Sequence, residues 1–274
     1  MPHPPFALRW SGMTDKGRVR ANNEDAFLAL TFNAREVRYL GKVGEGTLHD
    51  ADYVFAVSDG MGGAKSGEFA SKIATEKITQ LLPKSFKQSA LGISSGFGDV
   101  LGELFTSIHG ELLRLGRVYD ECRDMGATLT LAWFTPEWMF FGHIGDSRLY
   151  YLPHYGPMKQ ITDDHTYVGH LRRTGQANER QARTHPGKNV LNKSLGSGHQ
   201  FVDPHVGAVG FEPGDRFLIC SDGIVDGLWD RALEEHTRTA DAHSAALLLV
   251  KTAIEEGSRD NCTALLIEVC AIRD

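Results

Sequence analysis

The tripeptide Ser-Asp-Gly occurs twice in the 274-residue sequence and is its clearest chemical feature. Each copy follows an apolar run, residues 54–57 in the first case and residues 217–220 in the second. Such runs predict buried β-strands, so each strand would end on a carboxylate, Asp59 or Asp222. The glycine that follows lets the backbone turn sharply and brings a carbonyl close to any ligand of that carboxylate. Two such strand ends facing each other would form an oxygen-rich pocket suited to a hard divalent cation.

Three further aspartates, Asp25, Asp146 and Asp260, stand at predicted strand ends, and the last two lie beside glycine or asparagine. Taken singly, each is most simply a turn residue or a helix cap. Together with Asp59 and Asp222 they would crowd five carboxylates at one end of a core, which is unfavourable unless cations neutralise them. Aspartate oxygens favour Mg²⁺ or Mn²⁺, whereas zinc prefers histidine or cysteine pairs that this sequence lacks.

Arg20 stands five residues before Asp25. A guanidinium there could meet a phosphate held by the cations, because arginine presents paired donors; the alternative is an ordinary surface arginine. The polar stretch from 163 to 206 contains five histidines, at positions 165, 170, 185, 199 and 205. Solvated polar side chains are the simplest interpretation for them. His165, directly after Asp163 and Asp164, is the exception to consider for a role in the site.

Composition indicates a packed globular protein. Hydrophobic residues make up 41% and charged residues 23%, and the length suits one large sandwich or barrel domain. The net charge of −6 without a basic stripe argues against nucleic acid as a partner. None of the four cysteines (122, 220, 262 and 270) forms a C-x-x-C pair. Cys220 and Cys262 lie in apolar strand-like contexts, which predicts buried free thiols.

Nothing in the sequence indicates a membrane or an export route. The first five residues lack the charged and apolar regions of a signal peptide, and no apolar run reaches the roughly 18 residues of a membrane span. We therefore expect a cytoplasmic protein without membrane contact. The size and the lack of an obvious exposed apolar patch favour a monomer.

Hairpin strands with helices inserted between them predict an α+β layered sandwich. Strands are predicted at residues 25–31, 36–40, 52–58, 127–134, 139–145, 148–152, 216–220 and 263–270. The short turns between residues 127 and 152 predict an antiparallel meander of three strands. Helices are predicted at 68–82, 100–115, near 230 and at 241–256, with Pro83 ending the first.

Three stretches lack a clear periodicity. Residues 1–12 are expected to be an irregular lead-in, and the glycine-rich residues 41–50 an exposed connection. Residues 163–206 are rich in His, Arg, Asn and Gly, and we expect a polar, partly helical flap over a site.

Six ordered motifs resemble the metal-dependent Ser/Thr protein phosphatases (PPM, or type 2C). They are Arg-Ala-Asn-Asn-Glu-Asp at 20–25, Ser-Asp-Gly-Met-Gly-Gly at 58–63, Met-Gly-Ala-Thr at 125–128, Gly-Asp-Ser-Arg at 145–148, Ser-Asp-Gly at 221–223 and Arg-Asp-Asn at 259–261. The phrases at 161–165 and 186–190 are similar to the compact bacterial branch. The resemblance covers about residues 9 to 270.

The resemblance implies a four-layer α-β-β-α sandwich, with two central antiparallel sheets flanked by helices, as one domain over residues 1–274. It also implies a centre of two or three Mn²⁺ or Mg²⁺ ions in a cleft. By this resemblance, Asp59 would bridge the first and second metal ions, the Gly60 carbonyl would bind the second ion, and Asp222 and Asp260 would bind the first. Glu24 and Asp25 would hold metal-bound waters, and Asp146 would bind a third ion together with Asp222. Arg20 matches the arginine that binds the phosphate.

The resemblance implies hydrolysis by metal-activated water without a phosphoenzyme. Two departures stand out. Animal relatives carry a histidine after the first Asp-Gly, which is proposed to act as the general acid, and Met61 stands at that position here. The general acid would then be either a metal-bound water, which we favour, or His165. Residues 38–52 also form a longer segment than in the most compact members, and represent either a longer hairpin or a partner contact.

The leading hypothesis is a phosphatase that acts on phosphorylated proteins and opposes a cognate Ser/Thr kinase. One alternative is a phosphatase dedicated to a single partner-switching phosphoprotein. The other is a catalytically inactive PPM fold used as a binding module, which would typically have lost metal aspartates. None of the expected aspartates is missing. An unrelated two-metal phosphoesterase or nuclease is disfavoured by the lack of a basic groove.

Overall fold

Two antiparallel β-sheets lie face to face at the centre of the molecule. The computed structural model describes residues 6–49, 51–63, 66–90, 96–199 and 201–272. The strands are β1 (Phe6–Asp15), β2 (Asp25–Phe32), β3 (Val37–Tyr39), β4 (Val43–Thr47), β5 (Asp52–Met61), β6 (Gly126–Ala127), β7 (Leu129–Phe134), β8 (Trp138–Ile144), β9 (Arg148–Leu152), β10 (Lys159–Gln160), β11 (Leu195–Gly196), β12 (His205–Gly210), β13 (Arg216–Cys220) and β14 (Cys262–Ala271). The helices are α1 (Ser66–Ala90), α2 (Phe97–Val118), α3 (Tyr167–Arg173), α4 (Glu179–Thr184), α5 (Asp222–Gly227), α6 (Asp230–Thr239) and α7 (Ala245–Glu255), with a 3₁₀ turn at Asp120–Cys122.

The first sheet has the strand order β10-β9-β13-β14-β1-β4. In the second sheet, β5 pairs with β2 on one side and with β6 and β7 on the other, and β8 and β12 extend it beyond β7. β3 pairs with β2 at the opposite edge. All of these pairings are antiparallel, as expected for strands joined by short connections.

Apolar side chains form three layers of core. Between the sheets, Trp10, Phe55 and Phe217 belong to one buried cluster of aromatic and aliphatic residues. A second cluster joins the other face of β2, β5 and β7 to α1 and α2, and a third joins the other face of β13 and β14 to α5, α6 and α7. The expected α+β sandwich of four layers is therefore confirmed.

The expectation of an irregular lead-in at residues 1–12 is wrong. Residues 1–5 lie outside the described part of the chain, but β1 begins at Phe6 and pairs with β14 along its whole length. Phe6, Leu8 and Trp10 are buried while Arg9 is exposed. This alternation is the period of a half-buried strand, so the signal was present in the sequence.

The segment 38–52 connects the two sheets. β3 is an edge strand on β2 in the second sheet, whereas β4 is an edge strand on β1 in the first. The segment is therefore not the longer hairpin considered for it, and the connection expected at 41–50 is largely exposed as predicted but contains the edge strand β4. Asp50 itself lies outside the described residues.

The predicted meander of three strands is correct only for its first two. β7 and β8 form a hairpin, but β9 pairs with β13 in the other sheet. The chain changes sheets at Gly145, whose φ is +110°, and a Cβ there would come within 2.5 Å of the Thr128 side chain. This change of sheet places Asp146 between the two layers.

The predicted helices are present with different ends. α1 continues past Pro83 to Ala90, so the predicted stop is wrong, and α2 contains the predicted residues 100–115. Residues 91–95 between them lie outside the described part. α6 and α7 match the last two predicted helices, whereas α5 and β12 had no counterpart in the prediction. The stretch 163–206 is polar and partly helical as expected, through α3 and α4.

All four cysteines are free thiols, and the prediction of buried free thiols at Cys220 and Cys262 is confirmed. All four lie in the described part of the chain without a disulfide, and Cys220 and Cys262 are buried. No helix in the described part is both long and apolar enough to cross a membrane.

Candidate functional site

A cleft of about 460 Å³ opens where the two sheets meet at one end. Asp25 begins β2 and Asp59 lies near the end of β5, while Asp222 follows β13 and Asp260 precedes β14. Neighbouring antiparallel strands bring the end of one beside the start of the next, so these positions converge. The residues that line the cleft include Arg20, Glu24, Asp59, Gly60, Asp146, Asp222 and Asp260. Asp25 is buried and lies directly opposite Asp59 in the β2–β5 register.

The first Ser-Asp-Gly copy is fixed by Thr128. The Ser58 hydroxyl donates to the Thr128 carbonyl over 2.6 Å, and the Asp59 amide donates to Thr128 Oγ1 over 2.9 Å. The Thr128 amide in turn donates to the Asp59 carbonyl over 2.8 Å. Three hydrogen bonds therefore hold the backbone that presents the Asp59 carboxylate to the cleft.

The second copy has a different role. The Ser221 hydroxyl donates to Asp25 Oδ2 over 2.7 Å, and the Thr263 hydroxyl donates to the same oxygen over 2.7 Å. Ser221 also directly precedes α5, whose first residue is Asp222, but its side chain makes no capping hydrogen bond to that helix. The serine of the second copy thus orients a carboxylate on another strand, a link that sequence spacing alone could not reveal.

The glycines of both copies are required by close backbone contacts. A Cβ on Gly60 would lie 1.9 Å from the Gly67 carbonyl oxygen, and a Cβ on Gly223 would lie 2.0 Å from the Asn261 carbonyl oxygen. Any side chain would push these segments apart. Glycine therefore lets the end of β5 pack against the start of α1, and the start of α5 against the loop before β14.

Burial raises the pKa values of four aspartates at the cleft, Asp25, Asp59, Asp146 and Asp222. Burial raises the pKa of Asp25 to about 6, although hydrogen bonds from Thr263 and Ser221 oppose this. Burial raises the pKa of Asp146 to about 7. Asp59 and Asp222 have pKa values well above the ordinary range, first because of burial and then because of repulsion from the neighbouring aspartates. Positive charge in the cleft would relieve both penalties.

The donor set fits Mn²⁺ or Mg²⁺. Asp25 Oδ1 and Asp222 Oδ1 are buried without a hydrogen-bond partner among the described residues, so each keeps an oxygen for a ligand. No three His, Cys, Asp or Glu side chains of the described residues are arranged to hold one ion between them. Zinc sites need such a ready-made set, whereas Mg²⁺ is usually bound by one or two carboxylates and keeps several waters.

Arg20 pairs with Asp260 at the mouth of the cleft. Its Nη2 donates to Asp260 Oδ2 over 2.6 Å, with the Arg20 side chain 50% exposed. The Asn261 amide donates to the other oxygen, Asp260 Oδ1, over 2.8 Å. Both oxygens of Asp260 are therefore engaged, and a cation bound there would replace the arginine.

Asn261 is a positioning residue to which sequence reasoning gave no role, although it belongs to the Arg-Asp-Asn motif. Its side-chain nitrogen donates to the carbonyls of Lys16 and Asn22, both over 2.9 Å. Its side-chain oxygen accepts from the Glu24 amide over 2.8 Å. One buried amide thus holds the loop that carries Arg20 and Glu24 against the cleft.

The flap reaches the cleft through Asn189 and Leu191, which sequence reasoning also missed. Lys188 donates to both oxygens of Asp226 in α5, over 2.8 and 2.7 Å. Leu191 forms an isolated bridge with Thr166. Two anchors therefore fix this part of the flap beside the helix that begins at Asp222.

His165 does not line the cleft. It lies behind the Gly145 turn, where its Nδ1 accepts from the Gly145 amide over 3.0 Å and its own amide donates to the Gly145 carbonyl over 2.7 Å. Burial lowers the pKa of His165 to about 4. The structure therefore places this candidate acid as a support for the turn that carries Asp146. Met61, in contrast, does line the cleft.

Comparison with known proteins identifies relatives over nearly the whole chain. The family model described as Protein phosphatase 2C matches residues 44–254. The serine/threonine protein phosphatase PstP of Mycobacterium tuberculosis is 30% identical over 267 residues, which are 96% of this chain and 45% of that protein. The chain thus spans less than half the length of that relative. The serine/threonine phosphatase stp of Listeria innocua is 32% identical over 258 residues, 93% of both proteins.

Solved structures show the same fold. A crystal structure of the Mycobacterium tuberculosis serine/threonine phosphatase PstP/Ppp superposes with a TM-score of 0.74 at 29% identity, covering 96% of this chain and 98% of that one. The catalytic domain of PstP in complex with two manganese ions superposes with a TM-score of 0.76 at 28% identity, covering 97% and 99%.

Proposed function

Since the chain belongs to the metal-dependent Ser/Thr protein phosphatases of the 2C family, we propose that its cleft hydrolyses phosphoserine and phosphothreonine in proteins. The observation that carries the proposal is the convergence of Arg20 with five acidic side chains in a single cleft. A phosphoryl group needs positive charge around its oxygens, and this cleft gathers the donors that would hold cations beside a phosphate-binding arginine.

Two or three Mn²⁺ or Mg²⁺ ions would be held by Asp59, the Gly60 carbonyl, Asp222, Asp260 and Asp146, with Glu24 and Asp25 acting through water. When bound, such ions lower the pKa of water and neutralise charge on the transferred phosphoryl group. The PstP catalytic domain that this chain resembles is described with two manganese ions. Asp25 keeps Oδ1 for a water, since both hydroxyl donors occupy Oδ2.

Water is the nucleophile in this proposal because the carboxylates of the cleft would hold the cations and the other side chains offer no suitable nucleophile. Among the described residues that line it there is no Cys, His, Lys or Ser, and Thr128 carries the only hydroxyl. That hydroxyl accepts from the Asp59 amide and lies 2.8 Å from Ser147 Oγ. A phosphoenzyme on a hydroxyl, thiol or imidazole is therefore disfavoured.

The function is tested by metal-dependent turnover. With Mn²⁺ or Mg²⁺ the protein should hydrolyse p-nitrophenyl phosphate and phosphothreonine peptides, and EDTA should remove the activity until metal is restored. The reason is that the proposed nucleophile is a metal-activated water, and Arg20 alone supplies too little positive charge for the phosphoryl group. Released phosphate measures the reaction. Full turnover in EDTA would rule out the metal-dependent mechanism.

Arg20→Ala should mainly raise KM for phosphopeptides, by about tenfold or more, because it removes the paired donors for the phosphoryl oxygens. Arg20→Lys keeps the charge but not the fork, so it should recover only part of the affinity. Steady-state kinetics on both variants measure the effect. An unchanged KM in Arg20→Ala would remove the phosphate role of this residue.

The remaining features of the proposal concern the whole protein. We place it in the cytoplasm as a monomer that opposes a Ser/Thr kinase, with residues 1–274 as one phosphatase domain and residues 163–206 as its flap. The inactive binding module is less well supported, because each expected carboxylate is present around the cleft. A phosphatase dedicated to one partner-switching phosphoprotein would reject simple phosphopeptides, so the turnover assay also separates that alternative.

A further inference from the structure

The two loops beside Arg20, at one side of the cleft mouth, concentrate positive charge in a protein whose net charge is −6. Lys16, Arg18 and Arg20 alternate along one loop, and Arg259 directly precedes Asp260 on the neighbouring loop. All four residues are exposed. Together they are the basic wall. Of the four, Arg20 lines the cleft itself.

The two loops of the basic wall are bound to each other. Asn261 donates from one loop to the Lys16 and Asn22 carbonyls of the other. Gly17, with a φ of +73°, packs so closely on the Asp260 carbonyl that a Cβ would come within 2.4 Å of its oxygen. The backbones of Arg18 and Arg259 are therefore held beside the mouth of the cleft.

Three of the four cations lack an acidic partner. Arg20 pairs with Asp260, but Lys16, Arg18 and Arg259 form no ion pair within the described part of the chain. The cations of the flap differ in this respect. Arg172 pairs with Asp230 and Lys188 pairs with Asp226. The unpaired charges can therefore meet an anionic ligand without first breaking a contact in the protein.

The other walls of the cleft are uncharged where the structure describes them. One consists of Met61, Gly62 and Gly63, and another of Asn189 and Leu191. Among the described lining residues, a peptide lying across the acidic floor would therefore encounter positive charge on one side only. Val19, between Arg18 and Arg20 in the chain, is 56% exposed and adds apolar surface to this loop.

We infer that the basic wall binds glutamate or aspartate side chains next to the phosphorylated residue of the substrate protein. The inference rests on the phosphatase function proposed above and specifies its class of substrate. Arg18 and Arg20 are two residues apart, so their Cα atoms are at most about 7 Å from each other. This spacing corresponds to acidic residues within about two or three positions of the phosphoresidue in an extended peptide.

The test compares three phosphothreonine peptides that differ only in their flanking residues, which are glutamate, alanine or lysine. With the metal-loaded wild-type protein, kcat/KM should fall in that order, by about tenfold from the glutamate to the lysine peptide. The difference should fade in about 0.5 M salt, because exposed charges are then screened. Equal kcat/KM values for the three peptides would overturn the inference.

Charge reversal assigns the preference to the basic wall. In the double variant Arg18→Glu with Arg259→Glu, the ratio of kcat/KM between the glutamate and lysine peptides should invert. The matched control is Arg35→Glu with Arg38→Glu, which changes the net charge equally. Arg35 and Arg38 are exposed near the far end of β2 from Asp25. If the control shifts the ratio as much as the double variant does, the wall is not responsible.

The same peptides, carrying a fluorescent label, also report binding by anisotropy, which needs no turnover. A protein that hydrolysed neither the peptides nor p-nitrophenyl phosphate would contradict the proposed function. Even in that case, the inference requires that the protein bind the glutamate peptide more tightly than the lysine peptide. Equal dissociation constants in that titration would overturn the inference independently of catalysis.

Discussion

Replacing Asp59 with asparagine should reduce phosphatase activity by at least about 100-fold, because changes one shell further from a metal already cost 10–100-fold. Asp59 lies opposite Asp25 in the β2–β5 register, and repulsion from Asp25, Asp222 and Asp146 raises its pKa in addition to burial. Asparagine has the same shape but lacks the negative charge that two cations would share. kcat/KM with Mn²⁺ measures the loss, and circular dichroism checks the fold.

Asp52→Asn is the matched control for this experiment. Asp52 is a buried aspartate at the other end of β5, where its Oδ2 accepts from the Trp133 indole over 2.8 Å. An asparagine oxygen can accept the same hydrogen bond, so activity should stay within about twofold of wild type. Wild-type rates in Asp59→Asn would remove this residue from the metal centre. Equal losses in both variants would point to a general effect on β5.

In EDTA, the free energy of unfolding should decrease as the pH rises from about 5 to about 8, and Mn²⁺ should abolish most of the decrease. Burial raises the pKa of Asp25 to about 6 and that of Asp146 to about 7, both above their values in the unfolded chain. A carboxyl group whose pKa is higher in the folded protein than in the unfolded chain stabilises the fold fully at a pH below its pKa in the unfolded chain, which is about 4. This contribution is lost as the pH rises through its pKa in the folded protein.

Urea denaturation at several pH values, in EDTA and in Mn²⁺, measures this dependence. Asp52 also has a pKa raised to about 6 by burial, but it lies at the end of β5 away from Asp59. The comparison is therefore cleanest in the Asp52→Asn background, where that cation-independent contribution is absent. If Mn²⁺ left the pH dependence unchanged, the buried carboxylates would not be the cation site.

Local periodicity predicted most strands and helices because burial of one face leaves a repeating pattern. β5, β13 and α2 are examples, each with a continuous or helically spaced apolar run. A strand pattern was also present in β1 and was missed. Phe6, Leu8 and Trp10 alternate with other residues, but only one of the residues between them, Arg9, is polar, so the alternation is weak. The exposed edge strand β4 has no buried face, so no hydrophobic period marks it.

The sequence did not reveal which of the two sheets each strand belongs to. The short turn at residues 145–147 suits a hairpin within one sheet as well as a passage between two sheets. β9 joins the first sheet because its partner β13 lies there, a contact between residues that are far apart in the chain. The same holds for β3 and β4, which follow one another closely yet pair in different sheets.

The sequence by itself determined that Asp59 and Asp222 would stand near the ends of buried strands, because each follows a continuous apolar run. Tertiary structure decided how the two Ser-Asp-Gly copies differ. Ser58 fixes the backbone around Asp59 through Thr128, whereas Ser221 orients Asp25 on another strand. The tertiary structure also pairs Arg20 with Asp260 and places His165 behind the cleft. These contacts join residues that are distant in the chain, and packing of the two sheets brings them together.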